Sequence, residues 1–188
     1  MPSPVGHSII AFTFYRLSAR PHEPLGWRKL ALYLFAANAP DLDFIPGLLI
    51  GQPDRFHHGA GHSVGFAVLF ALVFGLLSHV MKIDSVQSSS PILFGLYLSH
   101  LGLDCFSIDT AAPYGMTLFW PVSHAYYKAA IGVLLDIRRC NSSGYFFASL
   151  FSAHNLWSVC VELLLFLPPA LLATALKGRP RPWSLRRF

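Results

Sequence analysis

Residues 63–81 read SVGFAVLFALVFGLLSHVM, nineteen consecutive positions without a formal charge. As a helix rising about 1.5 Å per residue, this run spans close to the roughly 30 Å hydrocarbon core of a bilayer. A soluble domain must cover such a helix on every side, and this chain is poorly equipped to do so. Only 12% of its 188 residues are charged, where ordinary soluble domains carry about 25%. The 54% hydrophobic composition also excludes disorder, because the chain has ample apolar surface to set against the entropy of ordering.

Four further segments follow the same logic. Residues 155–176 form a second clear span with Glu162 as its lone charge and Pro168-Pro169 as a kink that neighbouring helices accommodate. Residues 30–50 and 91–108 are long enough but interrupted by polar groups, and residues 4–17 make a short, tilted or partial span. Residues 119–135 set Pro121, His124 and Lys128 among Trp120, Tyr126 and Tyr127, a composition suited to a broken segment at the headgroup level. Residues 85–90 read as a polar loop. The expected fold is all-α: a polytopic transmembrane helical bundle of about five spans with a broken interfacial segment. Residues 1–176 form one integral membrane domain and residues 177–188 a basic cytoplasmic tail.

The net charge of +5 is concentrated. Lys177, Arg179, Arg181, Arg186 and Arg187 follow the last apolar run, while Arg16, Arg20, Arg28 and Lys29 cluster before the segment that begins at Leu30. Such juxtamembrane clusters mark cytoplasmic ends, so the expected partner is the lipid bilayer and not nucleic acid. Five spans then place the N-terminus outside and the C-terminus in the cytoplasm, with His22 in a cytoplasmic loop where its substitution is expected to be silent. Cys105, Cys140 and Cys160 form no CxxC pair, which argues against a disulfide framework or a cysteine-rich zinc knuckle. Residues 1–8 have no basic stretch of the kind that opens a secretory signal.

Against this apolar background the polar residues need an explanation. Asp41, Asp43, Asp104 and Asp109 sit in or beside apolar runs, and an acid at the centre of a spanning helix costs about 2.5 to 3.5 kcal/mol on insertion scales. A bound cation would compensate several of them at once. In NAPDLDFIPG (residues 38–47) Asp41 and Asp43 would stand about 200° apart on a helix, but Pro40 and Pro46 favour an unwound segment in which both turn to one site. In RFHHGAGHS (residues 55–63) His57 and His62 share a ligand only through the loop that Gly59 and Gly61 permit, while His58 and His62 would need a helix those glycines disfavour. In HLGLD (residues 100–104) His100 and Asp104 are one helical turn apart on one face. Each motif alone also fits a plainer role: a helix cap, hydrated interfacial histidines, an intramembrane hydrogen bond. Their common location decides between the two. In the five-span order His7, Asp41, Asp43, His57, His62, His100 and Asp104 all fall near the exoplasmic side, which scattered structural residues have no reason to do.

Gly6-His7, APDLD (residues 39–43), HHGAGHS (57–63), HLGLD (100–104), Tyr114-Gly115 and WPVS (120–123) occur in that order. This set resembles the bacterial inner-membrane family of membrane-bound metal-dependent hydrolases, over roughly residues 4–125. In that family the third motif reads H-R-G-x-T-H-S, so His57, Gly59, His62 and Ser63 match while His58 replaces the Arg and Gly61 the Thr. The resemblance implies an inner-membrane location and metal-dependent hydrolysis.

Four imidazoles and three carboxylates suit a divalent ion, zinc first, with manganese or iron also compatible, and they are numerous enough for one or two ions. Such ions lower the pKa of bound water and stabilise the oxyanion of an ester. Asp109 and His124 are the candidate catalytic proton acceptors. The expected function is metal-dependent hydrolysis of a lipid or amphiphilic ester, phosphoesters foremost. Two alternatives stay open: a divalent metal-binding or transport membrane protein, for which His79 and Glu162 would extend a passage, and a non-catalytic membrane assembly protein.

Overall fold

The computed structural model describes residues 1–19, 26–110 and 114–178. Arg20, His22 and the basic positions from Arg179 onward lie outside the described residues. Within them the chain folds into helices Pro4–Ser18 (α1), Trp27–Asn38 (α2), Phe44–Leu49 (α3), Val64–Val80 (α4), Val86–Cys105 (α5), Phe146–Ser149 (α6) and Ala153–Leu176 (α7). Among the described residues there is no strand beyond two isolated bridges, Ser107 with Leu134 and Met116 with Tyr127. The all-helical expectation therefore holds.

A serine begins each of the four longest helices. Ser3, Ser63, Ser85 and Ser152 sit just before α1, α4, α5 and α7, and each side chain accepts a hydrogen bond from a first-turn N–H, the arrangement that relieves the unpaired donors of a helix start. The cap at Ser85 explains one departure from the sequence expectation. Residues 86–90, expected as loop, are the opening of α5, and Pro91 lies in its second turn. A second departure is larger. Residues 30–50 do not form one helix: α2 ends at Asn38, Ala39–Asp43 is a 3₁₀ turn with Pro40 near its start, and α3 follows separately. Residues 119–135 form turns and extended chain without a helix. Gly65 on the first turn of α4 lies so close to the Trp120 carbonyl that any side chain there would collide with it.

In packing order α4 lies on α5, α5 on α2, α2 on α1, and α1 on α7. Ala11, Ala36, Ala37, Ala67 and Ala71 are buried where these helices meet, and small side chains allow the close approach on which helix association in lipid depends. Leu93, Leu96 and Leu101 of α5 join them, but many large aliphatic side chains point the other way. Leu69, Leu72 and Leu76 on α4, with Leu164, Leu171 and Leu176 on α7, are each more than half exposed, the reverse of a water-soluble core. The 24-residue α7 is long and apolar enough to cross a bilayer, with a mean hydropathy of 2.1. Among the described residues it alone meets that length and composition; α4 is apolar but has 17 residues.

Polar contacts pin the helix ends. Lys29 pairs with Asp84 at 2.9 Å, Arg28 donates to the Met81 carbonyl at 3.5 Å and Arg16 to the Gly178 carbonyl at 2.9 Å. One end of the bundle thus collects the start of α2, the junction of α4 and α5, and the ends of α1 and α7. The start of α1, the end of α2, the start of α4 and the end of α5 are left together at the other.

Glu162, expected as the lone charge of the last span, is 2% exposed and caps α1 from outside. Its carboxylate accepts from the Ser3 N–H at 2.7 Å, the Gly6 N–H at 3.1 Å and the Ser3 hydroxyl, at the positive end of the α1 dipole. A Cβ on residue 6 would stand 2.7 Å from Glu162 Oε2, so the approach requires glycine. Glu162→Ala should cost about 2 kcal/mol, the scale of a hydrogen-bonded charged group, read as a lower unfolding temperature in detergent. Gly6→Ala should be destabilised in the same direction.

Candidate metal centre

Three elements converge at the end of the bundle opposite the pinned basic residues. His100 and Asp104 lie one turn apart on α5, His62 is the last residue of the 3₁₀ turn Ala60–His62 that leads into α4, and Asp41 sits within the 3₁₀ turn after α2. His62 Nε2 lies 3.3 Å from His100 Nε2, 3.4 Å from Asp104 Oδ2 and 3.7 Å from Asp41 Oδ1. His100 Nε2 lies 3.3 Å from Asp104 Oδ2 and 3.5 Å from Asp41 Oδ1. A tetrahedron around an ion with ligand bonds of about 2.0 to 2.1 Å has edges of about 3.3 to 3.4 Å. The five separations, 3.3 to 3.7 Å, lie at that figure or up to a few tenths above it, and all four atoms lie within 4.8 Å of one another.

The far side of each imidazole fixes which nitrogen faces inward. His100 Nδ1 is 2.8 Å from the Ala37 carbonyl oxygen; a carbonyl only accepts, so Nδ1 carries the proton. His62 Nδ1 lies 2.8 Å from Asp43 Oδ2, and His57 Nδ1 lies 3.0 Å from Asp43 Oδ1. Asp43 therefore spends both oxygens orienting imidazoles, the role of the carboxylate behind a metal-bound histidine. In the neutral forms that bind a metal, with Nδ1 protonated, His62 and His100 would turn Nε2 lone pairs toward two carboxylate oxygens. Four electron-rich atoms face one point, and Asp41 Oδ1 and Asp104 Oδ2 are buried without a hydrogen-bond donor among the described residues.

The electrostatics of the 55–63 loop agree. Burial, reinforced by the neighbouring His62, pushes the His58 imidazole down to about 3. Burial and the adjacent His58 and His62 likewise hold His57 well below the ordinary histidine range. His62 goes the other way: burial opposes its charge, yet Asp43, Asp104 and Asp41 together keep it well above that range. In the ion-free protein a proton on His62 thus stands where a cation would sit.

The surrounding chain holds this loop in place. The Tyr97 hydroxyl donates to the Gly61 carbonyl at 2.6 Å, the Thr117 N–H to the His58 carbonyl at 3.1 Å, and the Val64 N–H to the Leu118 carbonyl at 2.9 Å. His7 on α1 stacks on His100 with ring centroids 3.8 Å apart and brings Nε2 to 3.6 Å from Asp104 Oδ1.

All seven residues proposed as ligands from the sequence lie in this cluster: Asp41, His62, His100 and Asp104 supply the four converging atoms, while Asp43 and His57 stand behind them and His7 stacks on His100. Sequence reasoning missed His58, whose Nε2 is 3.7 Å from Asp104 Oδ2. Its spacing from His62 was visible but had been tied to a helix, whereas the turn delivers it by another route. Asp109 lines a cavity of about 240 Å³ whose wall includes His57, His58, Asp136, Arg138 and Arg139, and its carboxylate accepts from the Gly115 N–H at 2.6 Å. His124 is exposed and lies outside that wall. On the cavity side Asp136 accepts from His154 at 2.9 Å and from Thr110 at 2.5 Å, a pairing that no sequence spacing announces. Glu162 is occupied with α1, and His79 is exposed on the last turn of α4.

Fold and site together define an all-helical protein whose buried carboxylate and imidazole cluster is suited to a divalent cation. The chain belongs to the YdjM inner membrane protein family, whose model matches residues 1–179. That description names a membrane and no reaction. No curated protein and no solved structure matches the chain.

Asp43→Ala removes the acceptor behind His57 and His62 but none of the four converging atoms. Zinc affinity, measured by competition with a chromophoric chelator, should fall about 10- to 100-fold, while His79→Ala should leave it unchanged.

Proposed function

We propose that this protein is a polytopic metal-dependent hydrolase of the bacterial inner membrane, acting on a lipid or amphiphilic ester, phosphoesters foremost. The observation that carries this reading is the near-tetrahedral set formed by His62 Nε2, His100 Nε2, Asp41 Oδ1 and Asp104 Oδ2. The donors are nitrogen and oxygen without thiolate, which suits zinc first and also manganese or iron. A bound ion supplies a water of lowered pKa and a positive charge against the developing oxyanion.

The chain's own residues account for the rest. His62, His100, Asp41 and Asp104 bind, and Asp43 fixes two of the rings. Asp109, in the wall of the cavity that reaches His57 and His58, is placed to accept a proton. Arg138 and Arg139 line the same cavity; Arg139 pairs with Asp54 at 2.7 Å and Arg138 Nε lies 3.7 Å from Asp136 Oδ2, so it is their remaining N–H groups that would meet an anionic headgroup. A separate groove of about 340 Å³, lined by Phe35, Phe66, Phe70 and Phe74, runs up to Asp43 and suits an alkyl chain. A polar cavity and an apolar groove flanking one centre fit an amphiphile better than a soluble ester.

For the membrane topology we infer five spans, α1, α2, α4, α5 and α7, with the cluster toward the exoplasmic face. The support is the gathering of Arg16, Arg28, Lys29 and Lys177 at the opposite end, as cytoplasmic ends require. A reporter fused after Phe188 should be active only in the cytoplasm; periplasmic activity would reverse the orientation.

The activity is tested with zinc-loaded protein in vesicles, against phospholipids, prenyl phosphates and chromogenic phosphoesters. Turnover should require the ion and drop to the ion-free background in His100→Ala. Asp109→Asn should lower it more than His124→Ala, because only Asp109 stands in the cavity wall. No turnover with any of these esters, together with ion uptake into vesicles that Asp104→Asn abolishes, would replace hydrolysis by transport.

A further inference from the structure

The four converging atoms do not exhaust the cluster. His7 Nδ1 and Nε2, His57 Nε2, His58 Nε2 and Asp104 Oδ1 are also buried without a hydrogen-bond partner among the described residues. They are not scattered. His7 Nε2 stands 3.6 Å from Asp104 Oδ1 and His58 Nε2 stands 3.7 Å from Asp104 Oδ2. His57, His58 and His62 bring ligand atoms within 4.8 Å of one another. The separations from Asp104 exceed hydrogen-bond length but are near the spacing of two ligands on one ion.

Orientation singles out the same atoms. Because His57 Nδ1 is held by Asp43 at 3.0 Å, its Nε2 carries the lone pair and faces inward, as the His62 Nε2 does. Neither nitrogen of His62 is spare: one faces the first ion and the other Asp43. His58 has a backbone φ of 61°, a left-handed conformation unfavourable for a residue with a Cβ. That conformation leaves its imidazole against Asp104, 8% exposed, where its Nε2 has no hydrogen-bond partner among the described residues.

We propose that Asp104 is a bridging carboxylate, and that a second divalent cation lies beside the first, held by Asp104 and the imidazoles of His58 and His57, with His7 against the other Asp104 oxygen. The proposal rests on the reading that His62, His100, Asp41 and Asp104 hold the first ion. Ions bridged in this way sit about 3.5 to 4 Å apart, the spacing that clamps the attacking and leaving oxygens of a phosphoester. The second ion would lie toward the polar cavity, whose wall contains His57, His58, Arg138 and Arg139. Such a pair would suit a phosphoester whose phosphate spans both ions, the ester class favoured above.

The test uses full-length protein in detergent and two readouts that do not depend on activity. Zinc content after saturation and removal of free metal should be two ions per chain in the wild type. His58→Gly should hold one, with helicity unchanged; glycine is chosen because it accepts a positive φ and relaxes the backbone. In the manganese-loaded wild type, electron paramagnetic resonance should show an exchange-coupled pair, replaced in His58→Gly by the six-line signal of an isolated ion. One ion per chain in the wild type, lost in His100→Ala but kept in His58→Gly, would overturn the second site and leave the first standing. Equal zinc content in the wild type and His58→Gly, or an uncoupled signal from saturated wild type, would also overturn it. No bound metal at all would overturn both sites.

Discussion

Three carboxylates, Asp41, Asp43 and Asp104, are drawn together at one end of an apolar helical bundle, and their charge must be balanced where water is scarce. Two of them turn unpartnered oxygens toward the Nε2 atoms of His62 and His100. Carboxylates buried without compensation are prohibitive, so the arrangement is stable only with positive charge at its centre. In the ion-free protein a proton on His62 meets that need, and a divalent cation meets it better. The features that hold the chain at this end follow from the constraint. Had α2 continued past Asn38, Asp41 and Asp43 would have pointed apart; the 3₁₀ turn sends one to the centre and the other behind the rings. Tyr97 ties the histidine loop to the helix that carries His100 and Asp104, and Glu162 fixes the turn of α1 that carries His7.

The cluster divides into atoms that converge and atoms that orient. Asp43 is the clearest case of the second kind, since both of its oxygens are committed to Nδ1 atoms. The Ala37 carbonyl does the same for His100 with a backbone group, and for that reason it leaves no mark in the sequence. Such outer partners set the tautomer and direction of a ligand ring. They explain how imidazoles from a 3₁₀ turn and from a helix present the same nitrogen to one point.

How much could be read in advance depended on the range of the interaction. The positions of α1, α4 and α7, and of α5 from Pro91 onward, were legible in their long apolar runs, and His100 with Asp104 because a spacing of four is one turn of any helix. The break after Asn38 was half legible: Pro40 and Pro46 signalled unwinding, but not that Asp41 and Asp43 would separate into different roles. His58 was discounted because its pairing with His62 had been judged on helical geometry, whereas a turn through a positive φ governs this loop. Asp136 and His154 come together through tertiary contact between the 134–139 segment and the start of α7, and no local pattern carries that information. Glu162 was visible as an anomaly, but its partners at Ser3 and Gly6 are more than 150 positions away.

X-ray absorption at the zinc edge of the metal-loaded protein tests the central claim most directly. The account predicts a first shell of nitrogen and oxygen only, at about 2.0 to 2.1 Å, with outer-shell scattering from imidazole rings that decreases in His100→Ala. A shell containing sulfur at about 2.3 Å, or one without imidazole scattering, would place the ion elsewhere and contradict it.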